Sequence, residues 1–323
     1  MEAQFQIENI CEGTEFQQII LKNIDTNEYI SILPEIGARL NAAHLLSNGN
    51  LIPVLLELQS SEFNTNDELF NNAKLFPYAG RIKNGTYSFN SKTYNLPINY
   101  EQEANACHGF LYQKKFDVIS KNICNDFAEV ELSYQSIDGH EGYPFSFKTN
   151  VIYKLTHTGE VTIATTVENI GENQLLFSDG WHPYYTLGNA INNLSIEFSG
   201  KEKIELDKNN IPTGSRIKLG KDHKINIGDK NLDDVFCLLS NGSVNEISLV
   251  CKEKNLMLNI WQDSGGNKYN YLVLYTPPGR RSIAIEPLTS NIDSFNNRED
   301  VITLAPGKKW SASYGFGLKK TRK

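Results

Sequence analysis

A chain of 323 residues with 40% hydrophobic and 21% charged side chains can bury a large core, and its composition is not that of a disordered protein. Lys and Arg number 31 against 38 Asp and Glu, a net charge of −7. The one dense basic run is the tail Lys319-Lys320-Thr321-Arg322-Lys323, which reads as a solvated end, so neither a nucleic-acid face nor, with no apolar run near ~20 residues, a membrane helix is expected. The start, Met1-Glu2-Ala3-Gln4-Phe5-Gln6, has neither a basic nor an apolar region, and no secretory signal is expected from it.

In chain order, the best helical candidate is the polar-capped stretch Asn66-Asp67-Glu68-Leu69-Phe70-Asn71-Asn72-Ala73. Tyr87 and Phe89, then Tyr94 and Leu96, flank Asn90-Ser91-Lys92 as the arms of a hairpin. Val130, Leu132 and Tyr134 alternate with Glu129, Glu131 and Ser133, the pattern of a half-buried strand. Phe147, Thr149, Val151, Tyr153 and Leu155 predict one strand face; Val161, Ile163, Thr165 and Val167 predict the next. The link Thr156-His157-Thr158-Gly159-Glu160 makes them a hairpin with His157 exposed. Ile247, Leu249 and Cys251 enter a turn at Lys252-Glu253-Lys254-Asn255, and Leu256, Leu258 and Ile260 leave it. Strands continue through Tyr271–Tyr275 and Trp310–Phe316. In Ile283-Ala284-Ile285-Glu286-Pro287 the proline removes a ladder donor, which places Glu286 at a strand end. Helical periodicity is nearly absent and no linker or composition shift marks a boundary. The expectation is an all-β protein: one large antiparallel β-sandwich domain over residues 1–323.

Chemistry concentrates in few places. Cys11, Cys107, Cys124, Cys237 and Cys251 are odd in number and scattered, with no CxxC pair; this favours reduced thiols in a cytoplasm over a disulfide frame or zinc site. His44, His140 and His223 lack an HxH or HxxxH partner, so no metal is expected. Cys107 and His108, as strand neighbours, should face opposite ways and not form a nucleophile pair. Asp233 and Asp234 should likewise diverge, leaving one of them for a site. His182, in Ser178-Asp179-Gly180-Trp181-His182-Pro183-Tyr184-Tyr185, and Glu286 are the side-chain types best suited to proton transfer near neutral pH. The plainer readings are a structural histidine, and a glutamate paired with Arg280 or Arg281. Arg81 also reads as a surface ion pair, and Trp181, Tyr184 and Tyr185 read as core rather than sugar-stacking rings.

Taken together, Phe76-Pro77-Tyr78-Ala79-Gly80-Arg81-Ile82, Asn105-Ala106-Cys107-His108-Gly109-Phe110, Asp138-Gly139-His140-Glu141-Gly142-Tyr143-Pro144, Trp181-His182-Pro183-Tyr184-Tyr185, Leu232-Asp233-Asp234-Val235-Phe236 and Glu286-Pro287 stand in an order that resembles the aldose 1-epimerase (galactose mutarotase-like) superfamily across nearly the whole chain. The resemblance implies a β-sandwich whose concave face holds a monosaccharide. It implies catalysis by Glu286 as base and His182 as acid, sugar binding by Arg81, His108 and Asp233, and neither metal nor organic cofactor. It also implies a cytoplasmic monomer or homodimer that interconverts the anomers of a free aldohexose. The alternatives are a hexose-6-phosphate 1-epimerase, for which Lys83, Lys114 and Lys115 are available, and a non-catalytic carbohydrate-binding protein. Two departures stand out: Gly80 where many members carry asparagine, and Leu111-Tyr112 where the sugar-phosphate branch usually has an arginine.

Overall fold

The computed structural model describes residues 4–11, 16–63, 69–188, 190–239 and 242–320. Nearly all their regular structure is antiparallel strand; the helical part is the four-residue Ser294–Asn297 and short 3-10 turns. No helix among them is long and apolar enough to cross a membrane.

A nine-stranded sheet has the alternation expected of it. Phe147–Thr156 is buried at every second residue, as is its partner Val161–Asn169, with Val151 opposite Thr165. The predicted faces are therefore the buried ones. Thr156 N–H closes the loop on Glu160 O at 3.0 Å, and the His157 side chain is half exposed. Val244–Cys251 and Leu256–Asp263 form the later hairpin, Cys251 opposite Leu256. The Tyr87 hairpin is also present; Asn90 and Ser91 sit at φ 50° and 60°, the left-handed pair that a tight two-residue turn requires. Ile19, Leu21, Ile30 and Ile32, from a five-stranded sheet, join Val130, Val151 and Ile163 in one core.

The second large sheet has eight strands and carries the chemistry. Its order is Pro212–Lys218, Gly200–Leu206, Asp233–Leu238, Tyr271–Tyr275, Ile283–Leu288, Gly180–His182, Ala73–Leu75, with Tyr184–Tyr185 added to Ile283–Leu288. Register sets Val235 opposite Val273 and Val273 opposite Glu286; one step along, Asp233 lies opposite Tyr275. Side chains two apart share a face, so Asp233, Val235, Val273, Tyr275 and Glu286 all stand on one side of the sheet.

Two expectations are corrected here. The Asn66–Ala73 stretch does not form a helix in its described part: residues 69–72 form a turn and Ala73 opens a strand, while Asn66, Asp67 and Glu68 lie outside the described residues. The Asn72 side chain donates to Leu56 O and accepts from Tyr184 N–H, a long-range alternative to helical bonding, and Phe70 and Asn72 have positive φ. Nor does Pro287 end its strand, which runs through it to Leu288. On that edge Ile285 N–H donates to Pro183 O and Thr289 N–H to Asp179 O. Pro287 falls between these bonds, so the ladder loses one rung and continues.

Candidate active site

Arg81, His108, His182, Asp233 and Glu286 line a single pocket on this face. His182 closes the strand Gly180–His182, where Pro183 interrupts it, and its carbonyl accepts Asn72 N–H at 3.1 Å. Glu286 stands in the middle of a strand whose six residues are all buried. Their side chains meet: His182 Nε2 lies 3.3 Å from Glu286 Oε1, with 7% and 3% of the side chains exposed. Burial works against charge on both. It pushes the His182 imidazole down to about 3, and, aided by the nearby Asp233 carboxylate, it holds Glu286 well above the carboxylate range. Both shifts favour the uncharged forms, a carboxylic acid against a neutral imidazole. Arg280, the plainer partner considered for Glu286, is instead bound to Asn192 and to the carbonyls of Lys230 and Gly228.

His108 sits just past the strand Ala106–Cys107, at φ 62°. That left-handed turn brings both Cys107 and His108 to the pocket, which corrects the expectation of opposite faces: strand alternation does not extend through a residue at positive φ. Burial pushes the Cys107 thiol up to about 12, which disfavours the thiolate that a nucleophile needs. The next residue must be glycine, since a Cβ on Gly109 would lie 2.0 Å from Phe76 O. Gly80 N–H donates to His108 Nδ1 at 3.1 Å, and His108 N–H returns a bond to Gly80 O at 2.9 Å. With Nδ1 accepting, the proton of the neutral ring is on Nε2, so His108 is a hydrogen-bond donor.

The same bond bears on metal binding. Ligand atoms of His108, His182 and Glu286 lie within 4.8 Å of one another, close enough to hold an ion. Yet neutral His108 has no free lone pair, one nitrogen accepting from Gly80 and the other protonated. The donor set does not fit a metal without breaking that contact.

A second polar chain crosses the pocket. Arg81 grips Glu103 with two bonds, Nε to Oε2 at 2.6 Å and Nη2 to Oε1 at 3.1 Å. Asn210 Nδ2 then bridges Glu103 Oε1 at 2.8 Å and Asp233 Oδ2 at 3.3 Å. Arg81 is therefore both an ion-pair partner and a pocket residue. Asp234 points to the other face and pairs with Lys203 at 2.6 Å, as strand geometry requires. Glu103 and Asn210 escaped the sequence reading. Glu103 belongs to the acidic run Glu101-Gln102-Glu103 and Asn210 to a polar turn, and both read as solvated surface. Tyr184 also reaches the pocket, stacked on the His182 ring at 4.9 Å, whereas Trp181 and Tyr185 are core. At Gly80, φ is 77° and an added Cβ would lie 2.2 Å from Ile292 Cδ1, so an apolar wall fills the room an asparagine would need. Lys83, Lys114 and Lys115 are not among the lining residues.

Comparison with known proteins bears on the family and the fold. The sequence model of the family described as "Aldose 1-epimerase" matches residues 22–317. The uncharacterized protein YihR of Escherichia coli K12 is 24% identical over 72% of this chain and 74% of its own length. The maltose epimerase of Levilactobacillus brevis is 24% identical over 66% of this chain and 63% of its own. Among solved structures, a galactose mutarotase-like protein from Clostridium acetobutylicum superposes with a TM-score of 0.85 at 23% identity, covering 99% of both chains. Galactose 1-epimerase from Lactobacillus acidophilus gives 0.80 at 19% identity over 100% of both. The antiparallel multi-sheet fold is theirs.

Proposed function

This chain belongs to the aldose 1-epimerase family, and on that premise we propose that it is a mutarotase for a free aldohexose, with Glu286 as base and His182 as acid. The observation that carries the reading is their buried contact of 3.3 Å at a pocket ringed by hydrogen-bonding groups. One proton shared by the pair is enough. With that proton on His182, the imidazolium gives it to the ring oxygen while the Glu286 carboxylate takes the proton of the anomeric hydroxyl. The C1–O5 bond breaks, the C1–O1 bond becomes a carbonyl, and rotation about C1–C2 presents the other face for closure with the roles reversed. The open-chain sugar then faces a carboxylic acid and a neutral imidazole, the charge state that burial favours, so the buried site supports the intermediate. Arg81, His108 and Asp233 are proposed to hold the sugar hydroxyls, with His108 donating through Nε2–H.

The choice of a free sugar rests on charge. A phosphate carries close to two negative charges at neutral pH and needs guanidinium forks or several backbone donors. Among the lining residues the one guanidinium is already held by Glu103, and Glu103, Asp233 and Glu286 are three carboxyl groups. The five cysteines are free, which supports a reducing compartment such as the cytoplasm.

Polarimetry on freshly dissolved α-D-glucose, α-D-galactose and their 6-phosphates, with EDTA-treated protein, tests the reading. Accelerated mutarotation of at least one free hexose, with lower kcat/KM for its 6-phosphate, is expected. Sugar binding without acceleration would make the protein a lectin-like binder; preference for a 6-phosphate would move it to the phosphate branch.

A further inference from the structure

Behind the pocket, around the ends of the strands that carry His182 and Glu286 and on the strand next to them, lies a buried ionic group. Lys74 Nζ donates to Asp179 Oδ1 and, at 3.3 Å, to Gly180 O. Tyr269 O–H donates to Asp179 Oδ2 at 2.7 Å. Asp179 N–H donates to Thr289 Oγ1, and Thr289 N–H returns a bond to Asp179 O, each at 2.9 Å. Lys74 Nζ also lies 4.7 Å from the centre of the Trp181 ring. The Lys74 and Asp179 side chains are fully buried, as are Tyr269 and Thr289.

The placement is what matters. Lys74 is the cross-strand partner of Trp181, and its neighbour Ala73 is the partner of His182. Asp179 immediately precedes the strand Gly180–His182, and Thr289 immediately follows the strand Ile283–Leu288 that holds Glu286. The Asp179 backbone therefore ties the acid's strand to the end of the base's strand, while its carboxylate ties it to Lys74, on the strand at the acid's other side, and to Tyr269, just before the strand Tyr271–Tyr275 that pairs with the base's strand. We propose that Lys74, Asp179 and Tyr269 are positioning residues that hold His182 in register against Glu286.

A buried ion pair is a poor device for stability alone. Desolvating two charges costs several kcal/mol per ion, and well-packed apolar residues of the same size usually serve as well or better. Burial indeed presses both groups toward neutrality, Lys74 down to about 8 and Asp179 upward. What the pair supplies over an apolar filling is direction, because a carboxylate that accepts from Lys74 on one oxygen and from Tyr269 on the other admits one arrangement of those neighbours. Next to the pocket, that arrangement is the spacing between acid and base.

The inference rests on the mutarotase reading, and its test has one readout that does not. Three variants are compared with wild type: Tyr269→Phe, Asp179→Leu, and the triple Lys74→Met/Asp179→Leu/Tyr269→Phe, which replaces the whole group with apolar side chains. For Tyr269→Phe we expect a three- to ten-fold loss of kcat, KM within two-fold, and a displaced His182 ring resonance in 15N-edited spectra, with the exposed His157 ring unmoved as control. The triple variant should recover most of the thermal stability lost in Asp179→Leu while its kcat stays at least ten-fold down. Recovery of kcat in step with stability would make the group merely structural and overturn the proposal. So would a folded Tyr269→Phe protein with wild-type kcat and an unmoved His182 ring. If wild type is inactive on every sugar, the mutarotase reading fails by itself, and the His182 resonance still decides whether the clamp acts on that ring.

Discussion

The two large sheets differ in what their residues have to do. In the nine-stranded sheet, Phe147–Thr156 and Val161–Asn169 bury every second side chain and leave the others partly exposed, so each face has one task. In the eight-stranded sheet, Ile283–Leu288 and Gly180–His182 are buried at every position, polar ones included. A strand covered on both sides cannot leave a carboxylate or imidazole to water, so Glu286, His182 and Asp179 answer to other protein groups. The first sheet spends its residues on packing; in the second, buried polar groups shape one another's ionisation. Stability and chemistry should therefore separate between the sheets when residues are changed.

The largest effect should come from the pair itself. Glu286→Gln and His182→Asn are each expected to lower kcat by at least ~10²-fold, the lower range for a lost acid or base. Both proteins should still melt cooperatively near the wild-type temperature; a Glu286→Gln enzyme with full turnover would remove the proposed base. The converse substitution lies in the other sheet. Ile163 is wholly buried, and Ile163→Ala should cost about 2–5 kcal/mol in chemical denaturation while kcat per folded molecule is unchanged. A large fall in kcat there would erase the contrast between the sheets.

Glu103→Gln should act more gently. It keeps the shape of the Arg81 partner but removes its charge, so Arg81 is held less firmly and KM should rise about ten-fold, with kcat falling less; loss of a charged hydrogen bond of ~1.5–3 kcal/mol sets that scale. An unchanged KM would mean that Arg81 needs no holder. The smallest effect near neutrality is that of pH. The pair carries two protons below the depressed His182 value of about 3, one above it, and none above the raised value of Glu286. Activity needs one, so kcat/KM should hold a plateau between those two values. It should fall toward pH 3 as a second proton is added, and fall again on the alkaline side, above the ordinary carboxylate range, as the last proton leaves. These limbs belong to the coupled pair. A break near 6.5 would show that His182 titrates as if exposed.

Much of this was legible in the chain because alternation is a local property. The faces of Phe147–Leu155 and Val161–Val167, the hairpin at Asn90-Ser91 and the divergence of Asp233 from Asp234 each follow from a few consecutive residues and the two-residue period of a strand. The proline-flanked His182 and Glu286 stood out for the same reason: each breaks a local pattern. What the tertiary structure decided is non-local. Strand order brings Gly180–His182 beside Ile283–Leu288, and only that pairing sets His182 against Glu286. The positive φ of His108, the ladder continuing past Pro287, Glu103 on Arg81 and Ile292 in the space beside Gly80 all depend on partners distant in sequence. A period written along one strand carries no information about which strand will lie next to it, and the pocket exists only where those neighbours meet.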